Sequence, residues 1–431
     1  MNSKNSAPSE PTLARGISRV HLIGLLINAI IGAGILGLPS KTFALVGSYS
    51  VATWLLCACV VLVIALCLAE VSTRFRDSGG PYLYALVAFG PTLAFITGWL
   101  RLLTSVLSYA TVCNLLIGYF SVIVPAASGG LGRFITITII TGGLTVVLGR
   151  GLSGTVWLST ALSAGKLLLL MLFILVSAFF FDASKIQWTP VPQAQDAVAA
   201  ILLSVFAFFG FEVGSLAGGE LADPERDQPV AITASVGLTT ILFVLVQLAC
   251  IGTLNSLATS SRPVADAAIA MLGAAGGRVV TGGAVPLLLG VLLGLLIGAS
   301  RTLYAMGERA QMPQSVSSVH PRWRTPLVAV VTMGAAAWIA TLASTFTTAI
   351  SIAVGTRVLT YVVICAALPV LRRRTNVPAA RFTLPAGDSI AVIAILASIA
   401  LLAAIQAREG IALAALVGVG LLAQNVLRRD R

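Results

Sequence analysis

The sequence predicts an all-α polytopic membrane protein with twelve transmembrane helices. Of its 431 residues, 58% are hydrophobic and only 10% are charged, with a mean hydropathy of +0.99. A soluble domain carries about a quarter charged residues, so this chain has too few charges to cover a water-facing surface. A membrane-spanning helix needs roughly 20 apolar residues, and twelve such helices with short loops occupy the whole chain. Because lipid-exposed backbone must satisfy its hydrogen bonds internally, the spans are expected to be helical.

Apolar runs bounded by charges and by Gly/Pro clusters define the predicted spans. In chain order they cover residues 18–45, 49–72, 88–120, 133–149, 153–181, 194–221, 229–254, 284–309, 326–345, 347–371, 388–406 and 410–427. Amphipathic stretches near 74–86 and 263–276 are expected at opposite membrane surfaces. Residues 1–16 are rich in Ser and Pro without the architecture of a signal peptide, so we expect a disordered cytoplasmic tail there.

The basic residues predict the orientation of the spans. With the N-terminus in the cytoplasm, seventeen Lys and Arg residues fall inside and five fall outside, and five more lie within spans or at their edges. This positive-inside bias predicts a multi-pass protein of the cell membrane with both termini cytoplasmic. The net charge of +12 is then explained by topology and by contact with anionic lipid, and not by nucleic-acid binding. The five outward residues are Arg133, Lys185, Arg262, Arg278 and Arg408.

Span 1 is predicted to be interrupted. Three glycines and one proline lie within residues 32–39, and in a helix interior each Gly costs roughly 1 kcal/mol and Pro about 3 kcal/mol. A packing seam between helices would place small residues along one face. Here Gly32, Ala33 and Gly34 are consecutive and therefore encircle the helix. Local unwinding is the favoured interpretation.

Span 6 has a comparable interruption, in which Glu212 lies in mid-span two residues after Gly210. Ionised groups in a membrane interior are expensive and are functional candidates. Spans 1 and 6 each begin a set of five helices, and matching interruptions in two halves indicate an inverted-repeat transporter. The expected units are a first repeat at 17–182, a second at 183–375, and two further helices with a short cytoplasmic C-terminus at 376–431.

The interruptions suggest a chemistry for the site. A broken helix offers free N–H groups and a positive dipole end, which suit a carboxylate, and it offers free carbonyls, which suit an ammonium group. Phe206, Phe208, Phe209 and Phe211 make the surroundings apolar, and Glu212 is the only evident acid there. A cationic substrate side chain would need a second desolvated anion, so neutral amino acids are the predicted substrates.

Four segments resemble the amino acid–polyamine–organocation (APC) transporter superfamily. The first is IGAGIL at residues 31–36. The second joins AE at 69–70 and RF at 74–75 to SGGPY at 78–82. The third runs from FGFE at 209–212 through Glu220 to DPERDQP at 223–229. The fourth runs from ASRTLYAM at 299–306 through Pro313 to HP at 320–321. The resemblance covers nearly the whole chain and implies a LeuT-like five-plus-five inverted repeat followed by two helices.

The resemblance also implies roles for individual residues. The N–H groups of residues 33–35 would bind the substrate carboxylate, and the carbonyls of Ile30, Phe206 and Phe209 would receive its amino group. Some relatives have a hydroxyl residue where this chain has Ala33, which leaves carboxylate binding to the backbone alone. The candidate substrate-binding residues are Ile30, Gly32, Ala33, Gly34, Ile35, Phe206, Ala207, Phe209 and Glu212.

Lys166 and Glu212 are the candidate coupling residues. Lys166 lies roughly twelve residues, or about 18 Å, from either end of span 5, which is too far for snorkelling to the interface. In part of the resembled family a lysine here is thought to replace a bound sodium ion, which implies sodium-independent transport. Lys166 is then a fixed cation, a proton carrier or a purely structural cation. Glu212 is either a hydrogen-bond anchor of span 6 or a proton-responsive carboxylate.

Other charged residues receive weaker assignments. Arg301, Glu220, Glu70 and Arg74 fall near the cytoplasmic side and are expected to form inner-gate ion pairs. Arg357 either lines the permeation path or pairs with an acid, and Arg101 and Lys41 are candidates for snorkelling. The six cysteines all lie in apolar runs and are interpreted as packing residues.

The predicted function is secondary active transport of amino acids, by proton coupling or exchange. The alternatives are a polyamine or other organic cation carrier, a channel, and a non-transporting nutrient sensor on the same scaffold. An enzyme is not expected, since the Gly-x-Ser-x-Gly, His-Glu-x-x-His and P-loop patterns are absent from the sequence. No cofactor, metal or soluble partner is implied, and the sequence leaves the oligomeric state open.

Overall fold

The computed structural model describes residues 18–75, 80–151, 155–188, 190–212 and 224–429, and no β-strand occurs among them. In this part of the chain fourteen α-helices follow one another. They are α1 (Arg19–Ile30), α2 (Gly34–Val46), α3 (Ser50–Ser72), α4 (Gly80–Phe89), α5 (Pro91–Phe120), α6 (Gly130–Gly149), α7 (Thr155–Phe179), α8 (Ala194–Val205), α9 (Pro224–Thr253), α10 (Pro263–Glu308), α11 (Leu327–Ala343), α12 (Phe346–Arg373), α13 (Gly387–Ala403) and α14 (Ala407–Arg429).

Seven stretches among the described residues are long and apolar enough to cross a membrane. They are Gly34–Ser72, Pro91–Phe120, Gly130–Gly149, Arg226–Thr253, Pro263–Glu308, Phe346–Arg373 and Ala407–Asn425. Six further apolar helices are shorter. The predicted all-helical fold is therefore confirmed. The count of twelve spans, the two five-helix repeats and the orientation of the termini stay predictions, and the predicted tail at 1–16 lies outside the described residues.

The clearest difference from the predicted boundaries is at span 8. The sequence places its start at residue 284, but helix already runs from Pro263, with one break at Gly273 (φ 65°, ψ −160°). Residues 263–272 thus form a separate segment, close to the predicted amphipathic stretch. Helix resumes at Ala274, although residues 274–283 include four glycines and an arginine. Packing explains this early start, because Gly276, Gly277 and Val280 are buried, and tertiary contacts override weak helix propensity.

Helix α5 lies at the centre of one half of the bundle, packed along α10 and α12 and also against α4 and α11. Helix α9 packs against α1 and α3, and α2 packs against α8. This last contact is the one that matters for the site, because α2 follows the interruption of span 1 and α8 precedes the interruption of span 6.

A buried polar cluster around Gln247 joins three helices. Its Nε2 donates to the Pro39 carbonyl at 3.2 Å and to Ser50 Oγ at 2.9 Å, and its Oε1 accepts from Trp54 Nε1 at 3.1 Å. Buried polar groups need such partners, and here they link α2, α3 and α9. The Phe243 ring lies 5.2 Å from the ring of Trp54, which adds aromatic packing to the same junction. The segment after the first interruption is therefore firmly attached to its neighbours.

Candidate functional site

The predicted interruption of span 1 is present. Helix α1 ends at Ile30 and α2 begins at Gly34, with bent residues between them. The Ile31 N–H still donates to the Ile27 carbonyl at 2.9 Å, and the next local bond runs from Leu36 N–H to the Ala33 carbonyl at 3.1 Å. The N–H groups of Gly34 and Ile35 begin a helix and so have no intrahelical acceptor. A short positive helix terminus thus faces the gap.

The predicted interruption of span 6 is also present. Helix α8 ends at Val205 and continues as one 3-10 turn over Phe206–Phe208. At Phe209 the backbone becomes extended (φ −57°, ψ 134°), and Gly210 has φ 115°. A positive φ of this size favours glycine, because other residues clash with their own backbone there. Residues 213–221, the predicted second half of span 6, lie outside the described residues.

The two interruptions are in direct contact. A Cβ added to Gly34 would lie 2.5 Å from Ala207 Cα. A Cβ added to Gly210 would lie 3.1 Å from the Ile30 backbone nitrogen and would contact the Ala29 carbonyl oxygen. Glycine at both positions therefore permits backbone-to-backbone approach that no side chain would allow.

Most of the predicted substrate-binding residues lie at this contact and are buried. Ile30 and Ile35 are 1% and 0% exposed, and Ala33 and Ala207 are 3% and 2% exposed. Gly32 and Phe209 are half-buried. The structure thus brings together backbone segments that are about 175 residues apart in the chain.

Lys166 contacts the first interruption from α7. Its Nζ donates to the Ile31 carbonyl at 2.7 Å and also to the Asn28 carbonyl. The last carbonyls of a helix lack intrahelical donors, and a cation there is stabilised by the helix dipole. The side chain is buried, so its ammonium group caps the end of α1 inside the protein.

Glu212 contacts the second interruption. Its Oε2 accepts from the Gly210 N–H at 3.0 Å, and its Oε1 accepts from Arg357 Nη1 at 2.6 Å. The guanidinium of Arg357 also lies over the Phe209 ring, 4.8 Å from its centroid, in a cation–π contact. Of the two alternatives for Arg357, pairing with an acid is therefore the one observed.

The four phenylalanines near Glu212 divide into two groups. Phe206 and Phe209 contact each other beside the interruption, with ring centroids 5.1 Å apart. Phe208 is fully buried and packs against Phe243 with centroids 5.2 Å apart, so it belongs to the core. Phe211 is likewise buried and packs against Tyr361.

The predicted inner ion pairs are present in part. Glu70 is fully buried and accepts two hydrogen bonds from Arg372, at 2.8 and 2.6 Å, and a longer one from Arg74 at 3.4 Å. The Leu384 N–H also donates to it at 2.8 Å. Arg301 forms no ion pair within the described ranges, and Glu220 lies outside them.

Sequence reasoning missed two partners in these pairs. The positive-inside count places Arg372 on the cytoplasmic side, where Glu70 is also expected, and a buried carboxylate requires a partner. These two facts together are the signal that could have identified Arg372. No comparable signal identified Arg357 as the partner of Glu212.

Comparison with known proteins shows the family of this chain. The family model described as amino acid permease matches residues 17–420. The serine/threonine exchanger SteT of Bacillus subtilis is 27% identical over 397 residues, which cover 90% of each chain. The branched-chain amino acid permease BcaP of the same organism is 30% identical over 344 residues, covering 74% of this chain and 73% of the relative.

A human protein shows a similar degree of likeness. The human cystine/glutamate transporter is 27% identical over 351 residues, covering 77% of this chain and 69% of the relative. The resemblance to the APC superfamily is confirmed, and this chain is a multi-pass membrane transporter of the amino acid permease family.

Proposed function

We propose that this protein is a secondary active transporter that moves neutral amino acids, without sodium, by alternating access around the two interrupted helices. The observation that carries the proposal is the direct contact between the interruptions at Gly34 and Ala207. This contact brings the positive N-terminus of α2 next to free carbonyls, and these groups come from two different segments of the chain. A zwitterion presents the complementary pair of charges.

The backbone then supplies both ends of the site. The N–H groups of residues 33–35 bind the substrate carboxylate, since those of Gly34 and Ile35 have no intrahelical acceptor. The carbonyls of Ile30, Phe206 and Phe209 receive the amino group. A carbonyl oxygen has two lone pairs, so the Phe206 carbonyl can accept a second donor besides the Phe209 N–H, which lies 3.2 Å away.

The environment of Lys166 supports sodium independence. A sodium ion would be bound by oxygen atoms at the end of α1, and the Lys166 ammonium already donates to the carbonyls of Asn28 and Ile31. A fixed cation in this place makes a second cation unfavourable. Transport is then driven by a proton or by exchange of one amino acid for another.

The contacts of Glu212 support its role as an anchor. Its two oxygens accept from Gly210 and Arg357, so the carboxylate holds the interruption of span 6 in shape. The same pair supports neutral substrates, because the negative charge is already matched by Arg357. The names of two relatives, a serine/threonine exchanger and a branched-chain amino acid permease, refer to neutral amino acids.

The test is uptake of radiolabelled amino acids into proteoliposomes, with competition by a panel of neutral, acidic and basic amino acids and polyamines. We expect saturable uptake that neutral amino acids compete for, equal with and without a sodium gradient. Strict sodium dependence would contradict the role given to Lys166. Displacement only by arginine, lysine or polyamines would favour an organic cation carrier, and binding without flux would identify a sensor. Liposomes without protein provide the baseline.

A further inference from the structure

A polar cavity of about 550 Å³ lies where α5 ends, and none of its lining residues belongs to the two interruptions. We name it the α5-end cavity. It is lined by the end of α5, the start of α6 and the loop that precedes α10. A second cavity of about 550 Å³ adjoins it and shares Ser121, Ser128 and Arg262 with it. An amino acid or another small organic acid is well within this size.

The lining is strongly basic. Arg133 and Arg262 line the α5-end cavity, and Arg278 lines the adjoining one. These are three of the five basic residues that the sequence places outside. The one acid of the lining, Asp266, already accepts from Ser260 Oγ at 2.7 Å and from Arg262 Nε at 2.8 Å. The cavity therefore carries an excess of positive charge, and a concave surface of one sign concentrates solutes of the opposite sign.

The two cavity arginines are held in place while part of each guanidinium stays available. Arg262 uses Nε for Asp266 and Nη1 for Ser121 Oγ, at 3.1 Å. Arg133 uses only Nη2, which donates to Asn114 Oδ1 at 2.8 Å and to the Thr341 carbonyl at 2.9 Å. A guanidinium has five N–H donors in a planar fork. In the part of the chain that the structure describes, Nη2 of Arg262 and both Nε and Nη1 of Arg133 have no protein acceptor.

We propose that the α5-end cavity is a second, peripheral binding site for a small carboxylate solute, held by the spare donors of Arg262 and Arg133. Positioned arginines with free donors bind carboxylates in paired, charge-assisted hydrogen bonds. The hydroxyls of Ser128, Ser256 and Thr259 line the same cavity and supply further polar contacts.

The loop that lines the α5-end cavity also contacts the helix that follows the first interruption. The loop segment Leu257–Thr259 packs on α2, which is the helix that begins at Gly34. Arg262 follows this segment and donates to Ser121, the residue directly after α5. A carboxylate bound by Arg262 therefore lies against the loop Leu257–Thr259, which packs on α2. It would stabilise the conformation in which Arg262 links this loop to the end of α5.

The test is binding of trifluoroacetate to the purified full-length protein, followed by broadening of its ¹⁹F resonance. We expect Arg262→Gln to weaken binding at least tenfold, and Arg278→Gln, at an exposed position, to weaken it about threefold.

Arg408→Gln is the matched control, because Arg408 is also an exposed outward arginine but lines neither cavity. It should leave binding unchanged, and neutral trifluoroacetamide should bind more weakly than trifluoroacetate to the unaltered protein.

Unchanged binding in Arg262→Gln would overturn the proposal whatever the result for Arg278→Gln, since the carboxylate would then be held elsewhere. Equal weakening by Arg408→Gln would also overturn it, because general surface charge would explain the result. The proposal does not depend on the substrate site at the interruptions, so a Gly34→Val variant should keep the Arg262-dependent binding while losing uptake.

Discussion

The two interruptions break their helices in chemically opposite ways. At the first, the exposed groups at the end of α1 are carbonyls, and a cation from another helix, Lys166, binds them. At the second, the exposed group is the Gly210 N–H, and the carboxylate of Glu212 from the same segment binds it. Unwound backbone inside a membrane needs such partners. In the proposed site the first interruption therefore offers its N–H donors to the carboxylate, and carbonyls from both interruptions, those of Ile30, Phe206 and Phe209, receive the amino group.

This difference explains the counter-charges. Lys166 donates to neutral carbonyls and adds one positive charge beside the first interruption. Glu212 would add a negative charge, but Arg357 from α12 compensates it. The charge of Glu212 is thus paired with a cation inside the protein, whereas, among the described residues, Lys166 donates only to neutral carbonyls.

The largest effect is expected from the glycines that let the interruptions touch. Gly210→Ala places a Cβ against the Ala29–Ile30 backbone at a residue with φ 115°, and the strain alone costs about 1–3 kcal/mol. Gly34→Ala places a Cβ 2.5 Å from Ala207 Cα. Uptake should fall by roughly a hundredfold or more in both. Gly24→Ala is the control, because nothing lies within 4 Å of its added Cβ. Normal uptake in the Gly210 variant would show that the interruptions do not need to touch.

The next effect should come from Lys166. Lys166→Met removes the donor to two carbonyls of α1, and each buried acceptor left unsatisfied costs about 1–3 kcal/mol. We expect uptake at least tenfold lower, measured as initial rate at saturating substrate. Leu168→Met is the control, because this position is 71% exposed on the same helix, and it should leave the uptake rate unchanged. If the Lys166→Met variant instead gains sodium-dependent uptake, the lysine takes the place of a bound sodium ion. Full uptake by this variant without sodium would show that transport does not need the lysine.

A smaller effect should follow from breaking the charge balance at the second interruption. Glu212→Gln and Arg357→Gln each leave one partner without its counter-charge, and we expect roughly tenfold lower uptake in each. Because the residues contact each other, the double variant should lose less than the sum, with a coupling free energy of about 1–2 kcal/mol. Strict additivity would show that the 2.6 Å ion pair has no role in transport. Altered pH dependence in Glu212→Gln alone would restore the proton-responsive interpretation.

The smallest effect is expected at the first turn of α2, just after the first interruption. The Tyr119 hydroxyl donates to the Leu36 carbonyl at 2.8 Å, and its loss in Tyr119→Phe should cost about 1 kcal/mol. Uptake should fall by less than fivefold, with a lower temperature of thermal unfolding. Tyr82→Phe on α4 serves as the control for removing a hydroxyl. A loss as large as that of Gly34→Ala would mean that the bond to Leu36 shapes the site directly.

Much of the site followed from local pattern. Consecutive small residues at 32–34 and the mid-span Glu212 beside Gly210 indicate the two interruptions, and each lies where the structure breaks the helix. Lys166 and Glu212 are singled out by charge within apolar runs. The predicted start of span 8, at residue 284, is too late, because packing makes the Gly-rich residues 274–283 helical.

The chain alone determined that the fold is helical, where two of the helices are interrupted and which charges lie within apolar runs, because propensity and hydropathy are properties of neighbouring residues. Only the tertiary structure decided the partners. Glu212 meets Arg357 across 145 positions, Glu70 meets Arg372 across 302, and Lys166 selects two carbonyls of α1. Such pairs depend on which helix faces lie together, and that arrangement is set by the packing of the whole bundle.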